Sequence, residues 1–343
     1  MLWDISALLK NDKSLMEQFL NTNNVNNALD ILKSNSDINN KFNLFLKEYG
    51  HRCAEELNFS VPRWREDPAF IIDVLKNYLN SNSKNPHEKI EELKMQQLKL
   101  LEDLNQKWPK WKFYIFKKAL KRAQIALKAR EDFKSEAVKH IALLRMSVLR
   151  IGENLTQRGL LKDSSDIFFF NLAEINNLES DENYDKDFFK KIEERKIQLK
   201  KYEDMELPGI IDDPDHISIE QKVDKKLDTF PLKGIAASYG KAEGIARVIL
   251  DIKDIGRLQP GEILVTDHTD PADPGWTPIF ATVKGVITNR GGLLSHACIV
   301  AREYGLPAIV NVPNATEIIK DGQYLILDGN EGTINISLEA SKK

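Results

Sequence analysis

The spacing of apolar residues changes part-way along this chain, and that change limits the possible folds more than any other feature. Up to about residue 200 glycines are few, Leu, Lys, Glu and Asn are plentiful, and apolar residues recur at helical intervals. The segments 25–34, 38–49, 69–80 and 86–106 each carry one apolar stripe. Phe133, Ala137, Ile141, Leu144, Val148, Ile151 and Leu155 are separated by steps of 4, 4, 3, 4, 3 and 4, which predicts one buried stripe on a long helix. Breaks fall at Pro62, Pro68, Pro86 and Pro109. The run IFFFNLAEI (167–175) fits a strand or a helix start, and the charged stretch Tyr184 to Glu206 reads as one exposed helix that ends the helical body. The segment 207–234 is rich in Pro, Gly and Asp with little to bury, and its length suggests a hinge between moving bodies. Beyond it the pattern is β: 244–250, 262–266, 285–288, 307–310, 324–328 and 333–336 are short runs rich in β-branched residues, divided by Gly, Asp and Pro. Helical pieces at 295–305 and near 314–320 interrupt them. The expectation is a multidomain chain: an all-α N-terminal domain (1–206), a linker (207–233) and a small α/β domain (234–343).

Composition narrows the function classes. At 343 residues there is room for two or three cores, and 42% hydrophobic with 29% charged residues is ordinary for a globular protein. A net charge of −3 gives no global pull toward nucleic acid or an anionic membrane. The two cysteines, Cys53 and Cys298, lie far apart and argue against a disulfide framework. No apolar run nears the roughly 18 residues of a membrane span, and the start lacks a basic leader region. A cytoplasmic protein is expected.

The stretch GGLLSHACIVAREYG (Gly291 to Gly305) places a histidine at the start of a helix, just after two glycines. His296 can be a packed or satisfied surface residue, a metal ligand or a nucleophile. Zinc is disfavoured, because Cys298, His268 and Asp267 lack ligand spacing. A helix start favours anions: its amides are unpaired and its dipole is positive there. Ser295 is an N-cap residue type, Gly291 and Gly292 permit close backbone approach, and Arg302 adds a cation. Such surroundings suit a neutral imidazole that accepts a phosphoryl group covalently.

The stretches TDPADPGWTPIF (269–280) and GVITNRGGLLSHACIVAREYGLPAIVNVPNAT (285–316) resemble the mobile phosphohistidine domain of the phosphoenolpyruvate-utilising enzymes, a β/β/α swivelling domain. That family includes phosphoenolpyruvate synthase, pyruvate phosphate dikinase and rifampicin phosphotransferase. GIAASYGKAEGIARVIL (234–250) is similar to the domain's opening hairpin. Two departures are Tyr239, where proline is common, and Asn289, where an acidic residue is usual. The resemblance implies that His296 carries the phosphoryl group, with Gly291, Gly292, Ser295 and Arg302 positioning it.

In the helical half, 45–71 and 129–170 are more loosely similar to the acceptor-substrate domain of rifampicin phosphotransferase-like proteins. Arg130 and Lys134 form an i,i+4 basic pair with Arg145 on nearly the same face, either an acceptor-site face or a solvated face paired with Glu131 and Glu136. His51 and Arg52 are acid–base candidates for an acceptor hydroxyl or, with Glu56, a buried structural network. Trp108 and Trp111 are expected to pack helices.

Neither a phosphate loop of the GxxxxGK[ST] kind nor a defensible set of metal-binding carboxylates is present. The resemblance therefore implies that ATP and Mg2+ act on a separate ATP-grasp domain or protein. The expected function is a phosphotransferase subunit or fragment, which loads His296 from that partner and passes phosphate to a hydroxyl-bearing small molecule. Neither nucleic acid nor a membrane is an expected partner. The alternatives are a non-catalytic regulatory module switched by phosphorylation of His296, or the C-terminal piece of a larger enzyme. Met1 and a helix-like start favour a natural short chain.

Overall fold

The computed structural model describes residues 1–80, 85–180, 188–203, 231–269, 275–293 and 295–337. Two compact units emerge: Met1–Lys139 together with Thr229–Lys343, and His140–Asp228. The chain is a helical N-terminal region followed by a sheet-containing C-terminal domain.

Short polar residues set the helix starts in the first unit. Asp12, Asn24 and Asn35 each accept backbone N–H bonds with their side chains, at 3.0, 2.9 and 3.1 Å, and so open three helices in succession. With the helix before them these are α1 (Leu2–Asn11), α2 (Lys13–Asn21), α3 (Val25–Ser34) and α4 (Ser36–Tyr49). Next come α5 (Ala69–Asn80), α6 (Pro86–Lys107), whose first position is the proline, and the long α7 (Lys110–Gln157). Ile5, Leu9, Phe19, Ile38, Ile71 and Leu75 are buried at the centre of α1–α5. Each such side chain stabilises the fold by about 1.5–3 kcal/mol.

The stripe predicted on α7 is buried only toward its C-terminal end, where Leu155 is buried and Val148 and Ile151 pack beside it. Phe133 is 78% and Leu144 55% exposed, whereas Val138, Ala142 and Arg145 are buried. Apolar spacing shows which residues share a face, but not whether another element covers it. Trp111 likewise is 68% exposed and packs no helices, while Trp108 stands edge-on to Phe116 with centroids 5.5 Å apart.

In the second unit the run at 167–175 is neither a strand nor a single helix start. A 3-10 turn (Ser164–Phe169) is followed by α8 (Leu172–Ser180) and then α9 (Phe188–Glu203). Leu155, Ile167 and Ile175 form a core with Ile192, so α9 has a buried face and is not exposed all round.

The segment 204–230, and most of the expected linker with it, lies outside the described residues; its last two positions form β1 (Leu232–Lys233). The other elements are β2 (Ile235–Ser238), β3 (Lys241–Val248), β4 (Ile263–Thr266), α10 (Trp276–Ile279), β5 (Gly285–Thr288), α11 (His296–Tyr304), β6 (Ala308–Val310), α12 (Ala315–Ile318), β7 (Tyr324–Asp328) and β8 (Thr333–Ser337). They form one sheet in the order β1-β8-β7-β3-β4-β5-β6-β2. Strands β3 to β6 run parallel and the remainder antiparallel. β4 (ILVT) and β5 (GVIT) are buried along their whole length because both faces are covered. Leu264, Val286 and Ala308 pack toward α11, whereas Ile263, Val265 and Ile287 face the layer holding Ala315 and Ile319.

The expected opening hairpin is not one. β2 and β3 adjoin in sequence, but β2 pairs with β6 and β3 with β7 and β4. Only Gly234 separates β1 from β2, which lie on opposite edges, so the sheet rolls to bring its edges together. The Gly234 N–H donates to the Gly332 carbonyl at 2.9 Å. A Cβ at Gly234 would lie 2.5 Å from Val312 Cγ2, so no larger residue fits at this seam.

Within the first unit the helices and the sheet touch directly. The Tyr78 hydroxyl donates to the Pro278 carbonyl at 3.3 Å, and Ala54 and Phe70 pack against the α11 side of the sheet. No helix among the described residues is long and apolar enough to cross a membrane.

Candidate phosphoryl-accepting site

A pocket of about 380 Å3 opens at the C-terminal ends of the parallel strands β4 and β5, where α/β sheets commonly bind ligands. His268 and Thr269 follow β4, Arg290 and Gly291 follow β5, and Ser295, His296 and Ala297 begin α11. The βαβ crossover β5–α11–β6 thus directs the start of α11, with its half-buried His296, at the pocket. Residues 270–274, the middle of the TDPADPGWTPIF motif, lie outside the described residues.

Ser295 is the N-cap by backbone geometry (φ −65°, ψ 158°), but its hydroxyl caps no amide. The hydroxyl meets Cys298 Sγ at 3.2 Å instead, and the Cys298 thiol donates to the Gly292 carbonyl at 3.0 Å. The buried cysteine therefore pins the glycine turn to the helix, a role the sequence reading did not give it. The two glycines also differ. Gly291 has φ +140°, and a Cβ there would lie 3.1 Å from Ser295 Oγ, whereas a Cβ on Gly292 would meet nothing. Gly291→Ala is expected to cost roughly 1–3 kcal/mol and Gly292→Ala less than about 0.5 kcal/mol, as read by urea unfolding.

Arg302 does not line the pocket. Its Nε donates to the Ala237 carbonyl at 2.7 Å and its Nη1 to the Leu293 carbonyl at 2.8 Å, which ties the turn to β2. The cation on the pocket wall is Arg290. Its guanidinium grips Asp267, with Nε at 3.0 Å, and Asp267 also meets His268 Nδ1 at 2.9 Å. The hydrogen bond to His268, followed by the Arg290 contact, holds the Asp267 carboxyl far below the usual carboxylate range, against the effect of burial. Asn289 donates to Asp267 at 3.2 Å and to Thr316 Oγ1 at 2.7 Å, while accepting from the Thr316 N–H at 2.9 Å. An acidic side chain at position 289 would set a second carboxylate against Asp267, so the amide suits this site. Asn-Arg directly before Gly-Gly at a strand end was the sequence signal for Arg290.

None of the helical-half candidates lines this pocket. Lys134 and Arg52 approach the fully buried Glu56 at 2.9 and 3.5 Å. The buried Arg63 donates to the carbonyls of Glu56 and Asn58, both at 3.1 Å, and locks the intervening loop. Burial raises the Glu56 carboxyl, and the Lys134 hydrogen bond partly offsets that. Arg130 stays outside this group: it is exposed and bonded to its neighbour Glu131 at 2.8 Å. Arg145 is buried over the Phe168 ring, at 4.9 Å.

His51 is buried, with Nε2 3.5 Å from Ser135 Oγ. Burial first, then the nearby Arg52, lowers its pKa to about 4. Between pH 6.5 and 4 the unfolded chain takes up a proton that folded His51 refuses, so this residue weakens the fold as pH falls through that window. Relative to His51→Gln, the native protein is expected to lose on the order of 2–3 kcal/mol from pH 7 to pH 4, as followed by urea unfolding at each pH.

Among the described residues no three His, Cys, Asp or Glu side chains gather to hold a metal ion. Among the described residues Asp267, which follows β4 beside the pocket, is already engaged by Arg290, His268 and Asn289. This donor set does not fit magnesium.

Residues 1–131 match the family described as rifampicin phosphotransferase fourth domain, and residues 258–332, which include every residue of the pocket, match PEP-utilising enzyme, mobile domain. The chain belongs to the PEP-utilising enzyme family. A rifampicin phosphotransferase of Bacillus cereus is 33% identical over 89% of this chain and 35% of its own length. Prodigiosin synthesizing transferase PigC of Serratia marcescens is 33% identical over 86% of this chain and 33% of its own. Phosphoenolpyruvate synthase of Aquifex aeolicus is 50% identical, but over 29% of this chain and 11% of its own. The chain spans about a third of the length of the first two relatives.

Proposed function

We propose that this chain is the phosphohistidine-bearing part of a phosphotransferase. The observation that carries the reading is the placement of His296 at the first turn of α11, facing a pocket walled by Arg290. A ring nitrogen of His296 attacks phosphorus, so that a P–N bond forms as the donor's P–O bond breaks. The α11 amides and Arg290 stabilise the charge on the transferring group. An acceptor hydroxyl then attacks phosphorus, the P–N bond breaks, and the hydroxyl proton passes to a base. In this reading residues 234–343 are the swivelling carrier, 207–233 the hinge and 1–206 the acceptor side. The donor is ATP on a separate ATP-grasp domain or protein, which also holds the Mg2+, and the setting is cytoplasmic. The names of the relatives support a small-molecule acceptor.

The test is a chase: His296 is loaded with labelled phosphate by a nucleotide-binding partner, then candidate alcohols are added. Loss of label with appearance of a phosphate ester is expected, and label that no alcohol or pyruvate discharges contradicts the transfer step. One observation favours the regulatory module instead. Arg52 and Lys134 turn inward onto Glu56, leaving them occupied as structural groups. Stable label combined with altered partner binding would decide for that reading.

A further inference from the structure

A second cavity, of about 220 Å3, lies where the helices meet the sheet within the first unit. From the helical region come Ala54 and Trp64, in the loop before α5, and Phe70 of α5; from the sheet-containing domain come Ile252, which opens a 3-10 turn (Ile252–Arg257), and Gly275. The Trp64 and Phe70 rings stack with centroids 5.7 Å apart and planes 14° from parallel. Against this apolar lining stand two carboxylates, Asp67 and Asp73. Asp67 is engaged: its Oδ1 accepts the Ala69 N–H at 3.1 Å at the start of α5.

Asp73 is different. Burial holds its carboxyl above the usual range, and Lys76 supplies the offsetting charge. The Lys76 ammonium, however, donates to the Thr22 carbonyl. The Asp73 carboxylate lies against Gly256 of the sheet side, where a Cβ would be 3.6 Å from Oδ2. A half-buried carboxylate without a full counter-ion, beside stacked aromatic rings, attracts an organic cation twice over: through charge, and through the ring faces. Size limits the guest. An apolar cavity of about 150 Å3 holds benzene, and drug-sized ligands need at least about 300 Å3.

We propose that this cavity is a binding site for a small aromatic amine, with the ring between Trp64 and Ile252 and the ammonium group on Asp73. The site is separate from the pocket at His296 and does not depend on the chemistry there. Because its walls come from both the helices and the sheet, occupancy strengthens their contact by linkage.

The test is isothermal titration of the full chain with 2-phenylethylamine and with its neutral counterpart 2-phenylethanol. The amine is expected to bind about tenfold more tightly, a preference of about 1.4 kcal/mol. Asp73→Asn is expected to bring the two within about twofold. Ala54→Phe, which fills the cavity and keeps the carboxylate, is expected to abolish binding of both. Equal binding of the two probes to the native chain, binding of neither, a preference that survives Asp73→Asn, or unchanged binding in Ala54→Phe would each overturn the proposal.

Discussion

Alanine at position 296 is expected to abolish phosphoryl acceptance and to lower transfer to any acceptor by at least about 10³-fold. The size of the effect follows from covalent catalysis, since removing the nucleophile removes the intermediate. A second imidazole, His268, shares the pocket wall, but its Nδ1 is bonded to Asp267 at 2.9 Å. His268→Ala is therefore expected to retain label on His296. Arg290→Met removes the cation on the wall and leaves Asp267 with His268 and Asn289 alone, and a loss of roughly 10–100-fold is expected. His296 is half-buried, so its alanine variant should keep its fold, which circular dichroism and a melting curve would check. Acid-labile label on the alanine variant would show that the nucleophile is another residue.

The largest effect on stability is expected from Lys134→Met. Glu56 is fully buried, and Lys134, at 2.9 Å, is its nearest cation. Removing one partner of a buried pair leaves the other charge poorly compensated, here with the more distant Arg52 at 3.5 Å, at a cost on the order of 3 kcal/mol. The pH dependence identifies the cause. Without Lys134 the Glu56 carboxyl rises further above the unfolded value, so the folded variant takes up a proton before the unfolded chain does. Its deficit against the native protein is therefore greatest near pH 8 and shrinks as pH falls toward 5. Adding Glu56→Gln to Lys134→Met should recover much of the loss, and the double-mutant cycle isolates the pair. Arg130→Ala, at an exposed position, should change stability by less than about 0.5 kcal/mol. If Lys134 acts on an acceptor and not on the fold, Lys134→Met will reduce transfer while leaving unfolding unchanged.

Much of this could be read from residue order, for reasons that are local. Asp12, Asn24 and Asn35 open helices because their side chains bond amides a few residues on. The strands at 285–288 and 324–328 are found as read, since short β-branched runs between glycines have few other uses. Information that depends on distant partners was not legible. The face of α7 that is covered, the rolling of the sheet through Gly234 and the separate pairings of β2 and β3 are tertiary choices. Arg302 lies six residues beyond His296, about one and two-thirds helical turns, and so points away from it. Arg290, next to the glycine turn, was the nearer cation. Of the network read as His51, Arg52 and Glu56, Arg52 and Glu56 meet at 3.5 Å, Lys134 joins them at 2.9 Å, and His51 faces Ser135 instead.

The central claim is that His296 carries the phosphoryl group. The most direct measurement is mass spectrometry of the chain after exposure to a nucleotide-binding partner and ATP, with the modified residue mapped at alkaline pH and again after acid treatment. One phosphoryl group per chain on His296, stable in alkali and lost in acid, is predicted. A phosphoryl group mapped to any other residue, or an unmodified chain beside a partner that loads a related carrier, would contradict it.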